Sequence, residues 1–78
     1  MSKKSRQLKN AIDDIEREIE EYERKRERSQ NAIMRAMISG DKPSAEDQQY
    51  FTVFSNLIDN DRAELRKLYK ELDELNKK

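Results

Sequence analysis

The chain has 78 residues, with 17 cations balanced by 17 anions, no cysteine, no histidine, one glycine and one proline. Lack of cysteine excludes disulfides and thiolate metal sites, and lack of histidine removes the usual general base and the commonest metal ligand. A net charge of zero argues against a dedicated binder of nucleic acid or acidic membrane, and 44% charged against 33% hydrophobic residues fits long, solvated, coiled-coil-like helices better than a compact mixed fold.

Met1 to Lys9 is basic and polar, and no apolar run follows it. No secretory leader is expected, and no stretch approaches the roughly 18 apolar residues of a membrane span. A cytoplasmic location follows as the expectation. From Leu8 the apolar residues step by four and three through Ile12, Ile15, Ile19 and Tyr22, which places them on one stripe of a helix. Acids four residues before cations, Glu20 with Arg24 and Glu21 with Lys25, support the solvated side. Lys3, Lys4, Arg6 and Lys9 lie at the positive end of the helix dipole, so the first residues are expected to fray despite possible caps at Ser2 or Ser5. Glu23 to Asn31 carries no apolar side chain; the stripe passes through Arg26 and Ser29 and resumes at Ile33 and Ala36. Ala32, Met34, Met37 and Ile38 widen the apolar surface toward the end of this helix.

Ser39-Gly40-Asp41-Lys42-Pro43-Ser44 holds the single glycine and the single proline. Gly40 is placed just past a helix end, where a left-handed backbone is needed. Pro43 cannot continue that helix, and Ser44 can cap a second one by accepting from the amide of Asp47, with Glu46 and Asp47 in its first turn. The second helix has the most regular spacing in the chain: Phe51, Phe54, Ile58, Asp61, Leu65, Leu68, Leu72 and Leu75, broken only by Asp61. Tyr50, Val53 and Leu57 widen its face near the turn. Lys67 with Glu71, Lys70 with Glu74 and Glu74 with Lys78 can support its outer side, and Lys77 and Lys78 suit the negative end of its dipole.

Folding the chain at the turn matches the stripes: Ile33 with Phe51, Ser29 with Phe54, Arg26 with Ile58, Tyr22 with Asp61, Ile19 with Leu65, Ile15 with Leu68, Ile12 with Leu72 and Leu8 with Leu75. Large Phe54 falls opposite small Ser29. The lone acid of the seam falls beside a tyrosine hydroxyl able to donate to it. The expectation is one all-α domain over residues 1–78, an antiparallel two-helix, coiled-coil-like hairpin completed by self-association or a partner. Its helices should span about residues 5–39 and 44–77, joined by a turn over 40–43.

Candidate chemistry is sparse. Asp59-Asn60-Asp61 opens like a calcium loop, but Glu64 and Lys70 stand where that loop needs glycine and the terminal glutamate. Arg24, Lys25, Arg26 and Arg28 form a short basic run interrupted by Glu23 and Glu27 and without aromatic interleaving, which reads as a polar helix segment. Asp13-Asp14 and Glu20-Glu21 diverge around a helix instead of converging in a pocket. No catalytic residue, cofactor or metal ligand is assigned, and an enzyme is not expected.

Residues Met37 to Tyr50, with Gly40-Asp41 followed by Gln48-Gln49-Tyr50, resemble the turn of the small helical-hairpin chaperones of type III secretion needles. The Ser39-Gly40-Asp41 turn with Pro43 and Glu46 is also similar to that of the small subunit of exonuclease VII. Each resemblance is confined to the turn and carries over no functional residue. The expected function is protein–protein association by a small adaptor, chaperone or accessory subunit. Its partner-binding residues would be Met34, Met37, Ile38, Tyr50, Val53 and Leu57, whose apolar surface exceeds what one two-helix seam can bury. The partner is another protein or a second copy. The alternative is a structural homo-oligomer, a dimeric four-helix bundle with no separate ligand, and a nucleic-acid-associated helical protein is a more distant one.

Overall fold

A computed structural model describes residues 2–77. They form two α-helices, α1 (Lys3–Ile38) and α2 (Ala45–Asn76), packed against each other as an all-α antiparallel hairpin. The result is a rod of 59 × 16 × 14 Å.

α1 begins at Lys3 with Ser2 as its cap. Ser2 has an extended backbone, and its hydroxyl accepts a hydrogen bond from the Ser5 amide at 3.0 Å. That satisfies one of the unpaired donors of the first turn. Ser5 itself is buried, as is Leu8 one turn on, so this end of the helix is held by packing although no acid offsets its cations.

At the other end Gly40 takes φ = 78°, the left-handed region. Its amide donates to the Met37 carbonyl at 3.1 Å, and the Asp41 amide donates to the Ala36 carbonyl at 2.8 Å. This pair of bonds is the Schellman arrangement, which satisfies carbonyls that the helix cannot. A Cβ on Gly40 would meet nothing within 4 Å, so glycine is required for its backbone conformation and not for space. Ser44 then opens α2 reciprocally. Its hydroxyl accepts from the Asp47 amide at 3.0 Å and donates to the Asp47 carboxylate at 2.9 Å. Gln48 Nε2 donates back to the Pro43 carbonyl at 3.2 Å, tying the turn to the second helix.

The seam follows the register read from the stripes. Ile19 and Leu65 line one groove, and Ser29, buried, lies with Phe54 in another. Arg62 reaches Glu23 at 4.0 Å, and the Tyr69 hydroxyl donates to Glu16 Oε1 at 3.0 Å, both across the helices. Arg26 departs from the simple pairing with Ile58 by leaning toward the turn. Its guanidinium donates to Ser55 Oγ at 3.5 Å and lies 6.0 Å from the centre of the Phe51 ring. Tyr22 also leans that way, its ring centre 6.0 Å from that of Phe54.

Burial is uneven along the seam. Leu8, Ile12 and Ile19 are buried on α1, but Leu65, Leu68, Leu72 and Leu75 are only half-buried on α2. Among the described residues Ile58 alone is fully covered, at 0% exposure. A hairpin has no third element to roof its seam, so coverage depends on long side chains reaching over from the flanks. At the level of Ile58 those are the Tyr22–Phe54 aromatic pair on one side and the Arg26–Ser55 bridge on the other. On the outer surface Glu21–Lys25 closes at 3.3 Å, whereas Glu20 with Arg24, Lys67 with Glu71 and Lys70 with Glu74 form no ion pair. Asp73–Lys77, at 3.1 Å, supports the end of α2 instead, and the Glu74–Lys78 pair lies outside the described residues.

Two stability tests follow from this geometry. Ile58→Ala should cost about 2–5 kcal/mol by leaving a cavity, comparable to the whole stability of a domain this small, whereas Leu68→Ala should cost visibly less. Chemical denaturation followed by circular dichroism checks the order, and an equal loss at both sites would refute the placement of the core. Gly40→Ala should cost roughly 1–2 kcal/mol through its left-handed backbone, and Gly40→Asn should cost less.

Candidate functional site

The apolar residues expected to bind a partner are all near the turn, and five of them are exposed. Met34 is 51% exposed, Met37 65%, Ile38 82%, Tyr50 47% and Val53 44%. Leu57 is half-buried. They do not form one surface. Cross-helix contacts define the two sides of the seam. On one side Lys25 Nζ lies 5.9 Å from the Phe54 ring centre, Tyr50 stacks near Phe54 at 6.2 Å, and Arg28 joins them around a shallow groove of about 380 Å³. On the other side Arg26 bridges to Phe51 and Ser55.

Helical geometry assigns the rest, since each residue turns the chain by about 100°. Leu57 falls two turns after Tyr50 and projects from the same row, and Val53 lies just beyond them, away from the seam. Met37 falls three turns after Arg26 and shares its row, with Met34 and Ile38 progressively farther out. Tyr50, Val53 and Leu57 therefore occupy one side of the hairpin, the aromatic face. Met34, Met37 and Ile38 occupy the opposite side, the methionine face, next to half-buried Ile33 and Phe51. The apolar spacing reveals the excess surface. Only the direction in which each helix rotates past its antiparallel neighbour reveals the split.

The sequence reading also misassigned the partner of Asp61. The Tyr22 hydroxyl donates to Glu18 Oε1 at 2.6 Å, one turn away on its own helix, and not across the seam. A helix neighbour at that spacing is always within reach, whereas the cross-seam acid competes with it only if the side chains converge. Asp61 Oδ2 is left covered and without a hydrogen-bond partner among the described residues. Burial first, then the charge of nearby Glu18, pushes the Asp61 carboxyl above its ordinary range. The hydrogen bond to Glu18 is the main reason the Tyr22 phenol is pushed up to about 12, with covering and the charges of Glu18, Asp61 and Glu21 adding to it. Tyr69 is raised in the same way by its bond to Glu16. These groups share a strip of crowded acids beside the seam. They have no enclosed cavity around them, and nothing holds a second reactive group against them.

Among the described residues no group of three or more acidic side chains is placed to hold a metal ion, and no helix is long and apolar enough to cross a membrane. The basic run of α1 does not act as a unit: Lys25 and Arg26 point to opposite sides of the hairpin, each lying over a phenylalanine ring.

Because Asp61 is raised in the folded state, its contribution to stability is complete below its ordinary value of 3.8 and declines as pH rises through the folded value. At neutral pH its charge opposes the fold. Asp61→Asn should therefore raise the melting temperature at pH 7, and the advantage should shrink as the pH falls toward 3.8. A variant that melts lower than the parent at pH 7 would show that the charge is well solvated. Tyr22 loses its contribution from pH 10.0 upward, and Glu18→Gln should bring its ionisation, read by ultraviolet absorbance, down from about 12.

No family model, curated protein or solved structure matches this chain.

Proposed function

We propose that the protein is a non-enzymatic protein–protein interaction module, a small cytoplasmic adaptor, chaperone or accessory subunit that works by docking the turn end of its hairpin onto another protein. The observation that carries this reading is the methionine face. Met34, Met37 and Ile38 are between 51% and 82% exposed, form a continuous row on α1, and have nothing in their own chain to cover them. Burying large apolar side chains is worth roughly 1.5–3 kcal/mol each, so a small domain that leaves three of them in water forgoes much of its available stabilisation. Soluble domains keep such patches when a partner completes them. Methionine is unbranched and polarisable, and it adapts to surfaces of irregular shape, which suits a partner's apolar helix or groove.

The module is built to present this surface rigidly. The Schellman turn at Gly40 and the reciprocal Ser44–Asp47 cap hold both helices to their ends, so the binding side chains project from regular helix. The opposite end of the rod buries Leu8, Ile12 and Ile19 on α1 and offers the half-covered leucine edge of α2 and Tyr69, whose hydroxyl is held by Glu16.

Tagged protein used as bait in an extract of its native host should retain a partner in stoichiometric amount. Met37→Glu with Ile38→Glu should reduce that capture at least about tenfold, since charges at the centre of an apolar contact leave buried groups unpaired. Helicity by circular dichroism should be unchanged, because both positions are exposed. Glu20→Lys with Lys67→Glu, far from the turn, should leave capture intact. Equal capture by the parent and the methionine-face variant would refute the assignment.

A further inference from the structure

The aromatic face has a different character from the methionine face, and it fits a second copy of itself. We infer that two hairpins associate through their aromatic faces about a two-fold axis parallel to the rod. Such an axis keeps both turns at the same end and lays α1 of each copy along α2 of the other, antiparallel, as in a four-helix bundle. Residues of α1 then meet the second copy's α2 at the same level at which they meet their own.

Two independent complementarities result. The first is of size. On the aromatic face near the turn, α1 contributes the small residues Ala32 and Ala36, and α2 contributes Tyr50, Val53 and Leu57. The two-fold brings Tyr50 and Val53 of each copy to the level of Ala32 of the other, large against small, which is how facing layers interdigitate without voids. The second is of charge. On its aromatic-face side between residues 24 and 38, α1 carries Lys25, Arg28 and Arg35 and no acid. On the same side between residues 45 and 61, α2 carries Glu46, Asp47 and Asp61 and no cation. Laying α1 on the second copy's α2 sets opposite signs together, with Arg35 closest to the second copy's Glu46. Both residues are exposed in the single hairpin, and Arg35 Nε donates only to its own helix, to the Asn31 carbonyl at 3.4 Å. An axis across the rod would instead lay α1 on α1 and carry the two turn patches to opposite ends, each without a counterpart.

The area agrees. The hairpin exposes 6197 Å², against roughly 5,000 Å² for a compact monomer of this mass. The surplus, roughly 1,200 Å², exceeds the about 800 Å² that each partner gives up in a stable interface. The methionine face lies on the outside of such a dimer, so this inference extends the proposed function without consuming its surface.

Sedimentation equilibrium of the purified protein across a wide concentration range, with circular dichroism, is the test. A dimer is expected. Val53→Glu should turn it into a helical monomer, while Met37→Glu should leave it dimeric. Arg35→Glu and Glu46→Arg should each weaken the dimer about tenfold, because each sets like charges together twice. Mixing the two variants should restore near-parental affinity, because the mixed dimer has opposite charges at both contacts. A parent that stays monomeric throughout overturns the inference and leaves the methionine-face reading standing. A dimer abolished by Met37→Glu but not by Val53→Glu overturns it too, as does failure of the mixture to recover.

Discussion

Two helices packed only on each other can bury one strip apiece, and most of this molecule follows from that limit. A seam residue has its own helix behind it, the partner helix in front and water on both flanks. Apolar side chains at the right spacing are therefore not enough to make a dry core. Leu65 to Leu75 keep perfect spacing and remain half-exposed. Ile58 becomes fully buried where aromatic and arginine side chains close over the seam from either side. Arginine stems are well suited to this, since their methylenes cover apolar surface while the charged head reaches a hydroxyl or an aromatic face. Arg26 stands in the stripe where a hydrophobic residue would be expected, and its contacts with Phe51 and Ser55 account for it.

The same limit leaves most of the large exposed apolar side chains at the turn end of the molecule. The loop is short and strictly built: one residue in the left-handed region, two carbonyls satisfied behind it and a serine cap ahead of it. That leaves the last turns of α1 and the first of α2 rigid, while the apolar residues on them extend too far around each helix to be reached from the seam. Rigid presentation lowers the ordering cost of binding. The two faces of the hairpin then differ in kind. One combines aromatics with cations and small residues in a pattern that complements itself under a two-fold. The other is a row of flexible apolar side chains with no counterpart in the chain. A dimer through the first with a partner on the second would assign every large exposed side chain near the turn a neighbour.

Asp61 is the one acid in the apolar stripe of α2, and its covered oxygen finds no hydrogen-bond partner among the described residues. It lies against Glu18, and Tyr22, which could have relieved it, bonds to Glu18 instead. The acid-rich middle of α1, Asp13 to Glu23, thus carries an electrostatic cost that its surface ion pairs offset little, being solvated on both partners.

The sequence by itself determined the architecture. Four–three spacing set both stripes, Gly40 and Pro43 ended one helix, Ser44 began the next, and the equal lengths on either side made the stripes match in register. These are local properties, each decided by a few residues in one helix or turn, so they are legible without coordinates. The excess of apolar surface near the turn was legible for the same reason. What only the tertiary structure decided is how that surface is divided. Tyr50, Val53 and Leu57 are separated from Met34, Met37 and Ile38 because two antiparallel helices rotate in opposite senses past a common seam, so flanks that look equivalent along the chain face opposite ways. Burial of Ile58 over Leu68, the lean of Arg26 and the choice of Glu18 by Tyr22 were likewise hidden, because each depends on which side chains converge across the seam and not on the spacing along either helix.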